Sequence, residues 1–494
     1  QVLAGILGSA VTFGYGPDGK HGANYMQTMA ASVAQMSAMA VVLQAMIWLG
    51  LPEPPIWQLI LFFTCVGMFG VGVGMLYTPI LVDRMQLTYP SGFAVANILR
   101  ALADKNLLRR SILKLGGGAG GGFLGGLATL KIPSVEALGI SSSTVGAGMI
   151  VGARIAIPAF VVGVIGYYLT PTLRTIGWLG PSDPFRKIGF ILALGTILGA
   201  ALVDLSVIGY QAVQRWRSTA PAASEANPDW KRVNTFRLVL WVVGWGIALT
   251  VVASVILKQP LLFVAMALGL TFVFMLINGI SHGISDWNPI SSAFVVSVLL
   301  MTFVGLKDPG VGLLCASILL MACGVGVDMQ QDRSTGWRLG TNRVIQFRYQ
   351  VIGVVMGAVL AVAFAKVFMN AYPVLRIDSF SNPNVEGAQQ WQSAMTYKLV
   401  GVLKGLTTRQ PYVMKALAIG IGLGFVIELL RKLIKRPPAY KAFARSGKLG
   451  ATTDFVLDAV VLPSPYASSF GGFVNLITTV WWTLGGVISS LLEA

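Results

Sequence analysis

A charge placed at the centre of an apolar helix costs about 2.5–3.5 kcal/mol, so such residues need a reason to be there. Asp204 lies in IGFILALGTILGAALVDLSVIGY (188–210), where twelve Leu, Ile, Phe and Val residues supply roughly −4 to −7 kcal/mol toward insertion. The helix therefore inserts despite the acid, which either hydrogen-bonds a neighbouring helix or takes up and releases protons. Arg154, in VGAGMIVGARIAIPAFVV (145–162), keeps its charge and needs water or a carboxylate, from the protein or from a ligand. A third constellation is NGISHGISDWNPISS (278–292), polar between two strongly apolar runs at 260–277 and 293–306. Histidine titrates near neutrality, which makes His282 a proton-handling candidate together with Asp204, Asp286 and Asp328. Helix-terminal capping is the alternative role for the last two, and Asp328 with Asp332 could instead fix a turn. The stretch YGPDGKHGANY (15–25) has the same polar character. If both stretches interrupt helices, their freed backbone N–H groups attract an anionic group such as a carboxylate. Asn24, Tyr25, Arg154, Trp287, Asn288 and Ser291 would then bind it, with Asn288 capping and Pro289 opening the next helix. Two ordinary surface loops are the competing reading.

These side chains must be held by helices in lipid. The chain is 55% hydrophobic and 11% charged, with mean hydropathy +0.73, against about 25% charged residues in a soluble protein. Stretches near the roughly 20 residues needed to cross a bilayer occur at 27–50, 56–82, 147–170, 188–211, 236–258, 260–281, 289–306, 310–328, 349–370, 411–430 and 467–492. Shorter runs at 1–14, 116–132 and 454–466 suit half-helices or re-entrant segments. The expected fold is an all-α polytopic membrane protein of about 12–16 transmembrane helices, some broken or re-entrant. A net charge of +17 does not call for nucleic acid here, because Lys and Arg gather in three segments, 84–114, 331–348 and 431–448. Basic residues accumulate in cytoplasmic loops, so all three are expected there. Lys366 and Glu428 lie near span ends, where snorkelling accounts for them.

Several chemistries are excluded. Cys65, Cys315 and Cys323 fall in predicted spans without metal-type spacing and read as small core residues. CxxC, Walker, HExxH and GxSxG motifs are absent. The chain reads as neither an enzyme nor an ATP-driven pump. It is expected to use no resident cofactor or protein-held metal.

The polar segment 212–235 divides the chain into an N-terminal transmembrane half (1–211) and a C-terminal one (236–494). HGANYMQTMAAS (21–32) and HGISDWNPISSA (282–293) each precede two spans and a basic segment, as in a transporter built from repeats. Seven spans lie between the basic segments at 84–114 and 331–348, although an even number is required if both are cytoplasmic. LGGGAGGGFLGGLATL (115–130) is the suspect, since its eight glycines make a poor isolated helix.

LTYPSGFAVANILRA (87–101), VGAGMIVGARIA (145–156), GISDWNPISSAF (283–294) and VDMQQDRSTGWRLGTNRVIQFRYQVIGVVMGA (327–358) together resemble the oligopeptide transporter family, which includes the yellow stripe-like metal-chelate carriers. The D-x-x-Q-D-x-x-T-G pattern at 328–336 and LTYPSG look nearer the prokaryotic and yellow stripe-like branch. A KIPPR-type motif is absent, Ser292 stands where the family pattern has glycine, and Trp287 precedes the asparagine. The resemblance implies proton-coupled import by alternating access in a bacterial inner (plasma) membrane. Its substrates would be small peptides or, alternatively, metal–chelate complexes; a passive channel or an intramembrane enzyme is the remaining alternative. The implied partners are the substrate, the lipid bilayer and a second copy in a homodimer. Tyr89 and Pro90 are expected to shape a bend, and the 331–348 segment to serve structure.

Overall fold

A computed structural model describes residues 19–101, parts of 116–131, 141–217, 228–381, 394–405 and 411–493, save Ser182 and Arg436. Among these residues every regular element is helical. In chain order they are α1 (Gly19–Met36), α2 (Ala38–Trp48), α3 (Ile56–Thr78), α4 (Pro90–Ala101), α5 (Ser142–Val151), α6 (Ala153–Thr175), α7 (Arg186–Arg217) and α8 (Thr235–Val251). Then follow α9 (Leu261–Ser285), α10 (Ile290–Phe303), α11 (Pro309–Leu339), α12 (Arg343–Ala371), α13 (Ala394–Gly405), α14 (Pro411–Lys435), α15 (Pro438–Arg445), α16 (Lys448–Val456) and α17 (Leu476–Glu493). Nine of the described helical stretches are long and apolar enough to cross a membrane. The chain is an all-α polytopic membrane protein.

The residues group into two compact units. One comprises 1–105, 226–283 and 288–409; the other comprises 106–225, 284–287 and 410–494. Each unit draws chain from both sides of the polar segment 212–235. In the first, α11 packs on α1, α3 and α10, and α12 packs on α1. In the second, α7 packs along α14, and α17 packs on α5 and α6.

The signals that end these helices are local. Asp308 caps α11 by accepting from the Gly310 and Val311 amides at 2.6 and 3.1 Å, with Pro309 in the first turn. Gly340, at φ +72°, closes it in the left-handed conformation glycine adopts freely. Asn342 then caps α12 through the Val344 and Ile345 amides. The expected loop at 331–348 is therefore corrected to two long helices joined at 340–342. Arg333 and Arg343 are 1% and 4% exposed, inside the protein and not in a basic loop.

Of the two expected breaks, the first is corrected at its described residues and the second is narrowed. Asn24 and Tyr25 lie inside α1, and the interruption in that hydrophobic stretch falls at Ser37; residues 1–18 lie outside the described residues. α9 runs through His282 to Ser285, leaving only 286–289 between helices. Asp286 takes φ +58° there, a left-handed state that Asp tolerates better than most side chains. Pro289, not Asn288, holds the cap position of α10, which has no side-chain cap. α10 has 14 residues and rises about 21 Å, short of the ~30 Å hydrocarbon core. It therefore joins the glycine-rich segment, whose described parts are helical, as an explanation of the odd span count. Tyr89, at φ +43°, turns the chain just before Pro90 opens α4.

Among the described residues three helices end in π turns, Pro79–Arg84, Val252–Ile256 and Leu457–Val461. The first carries Asp83 and the last Asp458, each of which receives arginine. Asp83 takes both terminal nitrogens of Arg343 at 2.8 Å, the paired geometry a guanidinium favours.

Without a hydrophobic force between helices in lipid, close packing needs small residues. Gly195 and Gly199 of α7 face Gly420 and Gly424 of α14. A Cβ on Gly199 would stand 2.0 Å from the Ile421 carbonyl oxygen, and one on Gly424 2.0 Å from that of Thr196. Gly199→Leu is expected to lower the thermal midpoint of the purified protein sharply, because ordinary overpacking costs about 1–3 kcal/mol and here the obstacle is backbone. Gly422→Ala, where a Cβ meets nothing within 4 Å, is the control and should leave the midpoint unchanged.

Candidate functional site: a polar cluster in each unit

In the first unit the polar cluster centres on Asp328. α11 places Asp328, Gln331, Asp332 and Thr335 along one stripe, because residues three and four apart share a helix face. Asn288 Nδ2 donates to Asp328 Oδ1 at 2.9 Å, and Gln35 of α1 donates to Oδ2. His282 Nε2 lies 3.9 Å from Asp328 Oδ1 and 3.0 Å from Gln331 Oε1. The Tyr89 ring meets the His282 imidazole edge-on at 5.7 Å. Tyr89 is itself fixed: its amide donates to Gly283 O at 2.9 Å and its hydroxyl to Gly279 O at 3.1 Å. Thr88 Oγ1 adds a second bond to Gly283 O. A carboxylate, an imidazole and two amides thus converge from α1, α9, α11 and the 286–289 break. Such a set can exchange a proton or hold a cationic ligand group.

The other expected binding residues of this unit are spread around it. Asn24 is fully buried with both amide atoms unpartnered. Tyr25 stacks on Tyr349 with ring centroids 5.4 Å apart. Ser291 is half-buried in the first turn of α10. Trp287 and Asn288 adjoin in sequence but take different partners: Asn288 turns to Asp328, whereas Trp287, grouped with the second unit, packs on Phe470 and Phe473 at 5.1 and 6.3 Å.

In the second unit four acids and four bases form one chain of contacts. Asp204 of α7 accepts from Tyr466 at 2.6 Å and pairs with Lys432 at 2.5 Å. Lys432 and Arg431 each lie 3.4 Å from Glu428. Asp458 lies 2.7 Å from Arg154, 3.2 Å from Arg431 and 2.7 Å from Lys435. Its Oδ1 lacks hydrogen-bond alignment with the last two, so those are charge contacts. Asp454 accepts from Arg154 and from Tyr440, both at 2.8 Å, and meets Lys435 at 2.8 Å. Burial alone would raise the Asp454 carboxyl, but these three donors outweigh it and hold it well below the usual carboxylate range.

Arg154 thus takes its carboxylates from the protein, Asp454 and Asp458, and Asp204 is held by Lys432 and Tyr466. Arg431, Lys432, Lys435 and Glu428 belong to the network as well. The Glu428-to-Lys432 spacing of four, ideal for a helical ion pair, was the signal available for this. Snorkelling is also the wrong account of Lys366, which pairs with Glu53. No spacing could have found Gln27, Gln35 or Tyr466, which reach their acids from distant parts of the chain. Among the described residues no group of three His, Cys, Asp or Glu is arranged to hold a metal ion.

A family model described as OPT oligopeptide transporter protein matches residues 1–494. A protein of Haemophilus influenzae named "Putative oligopeptide transporter" is 22% identical over 485 residues, spanning 84% of this chain and 74% of its own. With both clusters lying in the matched residues, and with the apolar helices that carry them, this chain belongs to the oligopeptide transporter family, whose members are integral membrane transporters and not enzymes.

Proposed function

We propose that the chain is a proton-coupled importer of small oligopeptides or peptide-like compounds, working by alternating access across a bacterial inner membrane. The observation that carries this reading is the Asp328 cluster. A carboxylate set in an apolar helix is costly unless it is paired or used, and here two neutral amides, Asn288 and Gln35, and the His282 imidazole gather around it. Asp328 and His282 are then the proton-handling pair, and Asn288 and Gln35 hold the carboxylate in place. Asp204, already held by Lys432 and Tyr466, serves the ionic network of the second unit. The name of the Haemophilus relative supports peptides over metal chelates.

Uptake into proteoliposomes under an inward proton gradient tests this. Labelled di- to tetrapeptides are expected to accumulate above the outside concentration, and a protonophore should abolish the excess. Accumulation of iron–chelator complexes in place of peptides would reassign the substrate. Equilibration without accumulation would indicate a passive channel.

A further inference from the structure

One turn beyond Asp328 on α11, Asp332 is 3% exposed. Its carboxylate accepts from Gln27 Nε2 at 3.0 Å, yet no basic nitrogen of the described residues pairs with it. Arg333, the next residue, turns its guanidinium to the Arg343 carbonyl and the Met329 sulfur. A carboxylate this deep without an ion-pair contact is unfavourable, and the neighbouring Arg333 charge offsets only part of the cost.

The groups facing it from α1 are also unsatisfied. Gln27 is 1% exposed, and its Oε1 has no partner. Asn24, one turn earlier, is 0% exposed, and neither its Oδ1 nor its Nδ2 has one. Asn24 is close to the α11 stripe: a Cβ on Gly336, one turn from Asp332, would stand 3.1 Å from Asn24 Nδ2 and 2.9 Å from Gln346 Oε1. Gln346 ties this corner together by donating to Asp332 O at 2.8 Å and Thr28 Oγ1 at 3.0 Å. Buried amides are normally satisfied, so an unpartnered pair beside an unpaired acid asks for an occupant.

We propose that Asp332, with the amide oxygens of Asn24 and Gln27, binds a small monovalent cation of the size of sodium. Water would satisfy the amides alone; a cation would satisfy them and also make direct contact with the carboxylate. Hard cations take oxygen ligands of this mixed kind. A single carboxylate among neutral amides matches one positive charge better than two. The site lies one helical turn from Asp328 but uses other side chains than the proton pair Asp328–His282, and its test does not involve substrate.

The thermal midpoint of the purified protein is measured at fixed pH and ionic strength while sodium chloride replaces choline chloride, with potassium chloride as a parallel series. A saturable rise of about 2–4 °C with sodium is expected, smaller with potassium. It should be absent in Asp332→Asn and in Gln27→Leu, and retained in Asp378→Asn, a loop acid paired with Lys404. If Asp332→Asn does not fold, Gln27→Leu and Asn24→Ala still read the site. Superimposable sodium and choline curves, equal responses to both metal cations, or a sodium response surviving in these variants would overturn the proposal. A shift with pH alone would likewise assign the site to a proton or to water.

Discussion

Asp328→Asn is expected to reduce proton-driven accumulation of a labelled tripeptide to simple equilibration. One pH unit corresponds to about 1.4 kcal/mol, or a tenfold concentration ratio per coupled proton. A vesicle with a one-unit gradient should therefore reach about tenfold accumulation with the native chain and a ratio near one with the variant. The amide keeps the size of the carboxylate and can still accept from one of Asn288 and Gln35, while the other can turn its own amide oxygen to the new N–H, so loss of folding is not the expected cause. Exchange of internal for external peptide separates the two readings: it needs binding and reorientation but no net proton movement, so Asp328→Asn should retain it. A variant that still concentrates peptide would remove Asp328 from the proton path. Asn288→Ala takes away a hydrogen bond to a charged group, worth about 1.5–3 kcal/mol, and should weaken binding while leaving coupling intact.

The second large effect concerns Asp458, which meets Arg154, Arg431 and Lys435. Removing one partner of a buried ionic group costs about 3–5 kcal/mol, because the remaining charges stay behind unpaired. Arg154 is nearly half exposed, so water takes up part of that cost. Asp458→Ala is then expected to destabilise the protein by about 2–3 kcal/mol, read as a lowered thermal midpoint. Arg154→Ala should cost less, because Lys435 still faces both Asp454 and Asp458. The double variant should cost less than the sum of the singles, the mark of residues sharing one network. Strict additivity would mean that Arg154 and Asp458 contribute separately, despite their 2.7 Å contact.

Much of this was written locally. Asp308-Pro309 and Gly340 mark the ends of α11 by rules of capping and left-handed backbone, and the apolar stretches give most of the spans. The errors occurred where a polar segment was judged by composition. DRSTGWRLGTNR (332–343) has the charge of a loop, yet it is helical up to Leu339, because Arg333 and Arg343 find a carbonyl and Asp83 inside the protein. GKHGANY (19–25) has the glycines of a break, yet it is helical, since α1 packs against α11 and α12. Intrinsic helix propensity is a weak prior that tertiary contact overrides.

By itself the sequence determined the class: apolar length requires helices in lipid, and sparse internal charges single out Asp204, Arg154, His282 and Asp328. Which of these act together was decided only by the tertiary structure. Asp328 is joined to Asn288 from 40 residues away and to Gln35 from 293, and Asp204 to Tyr466 from 262. Pairing across such separations depends on which helix faces meet. Those faces meet where small residues allow backbones to approach, a property of two helices at once that neither one's sequence carries alone.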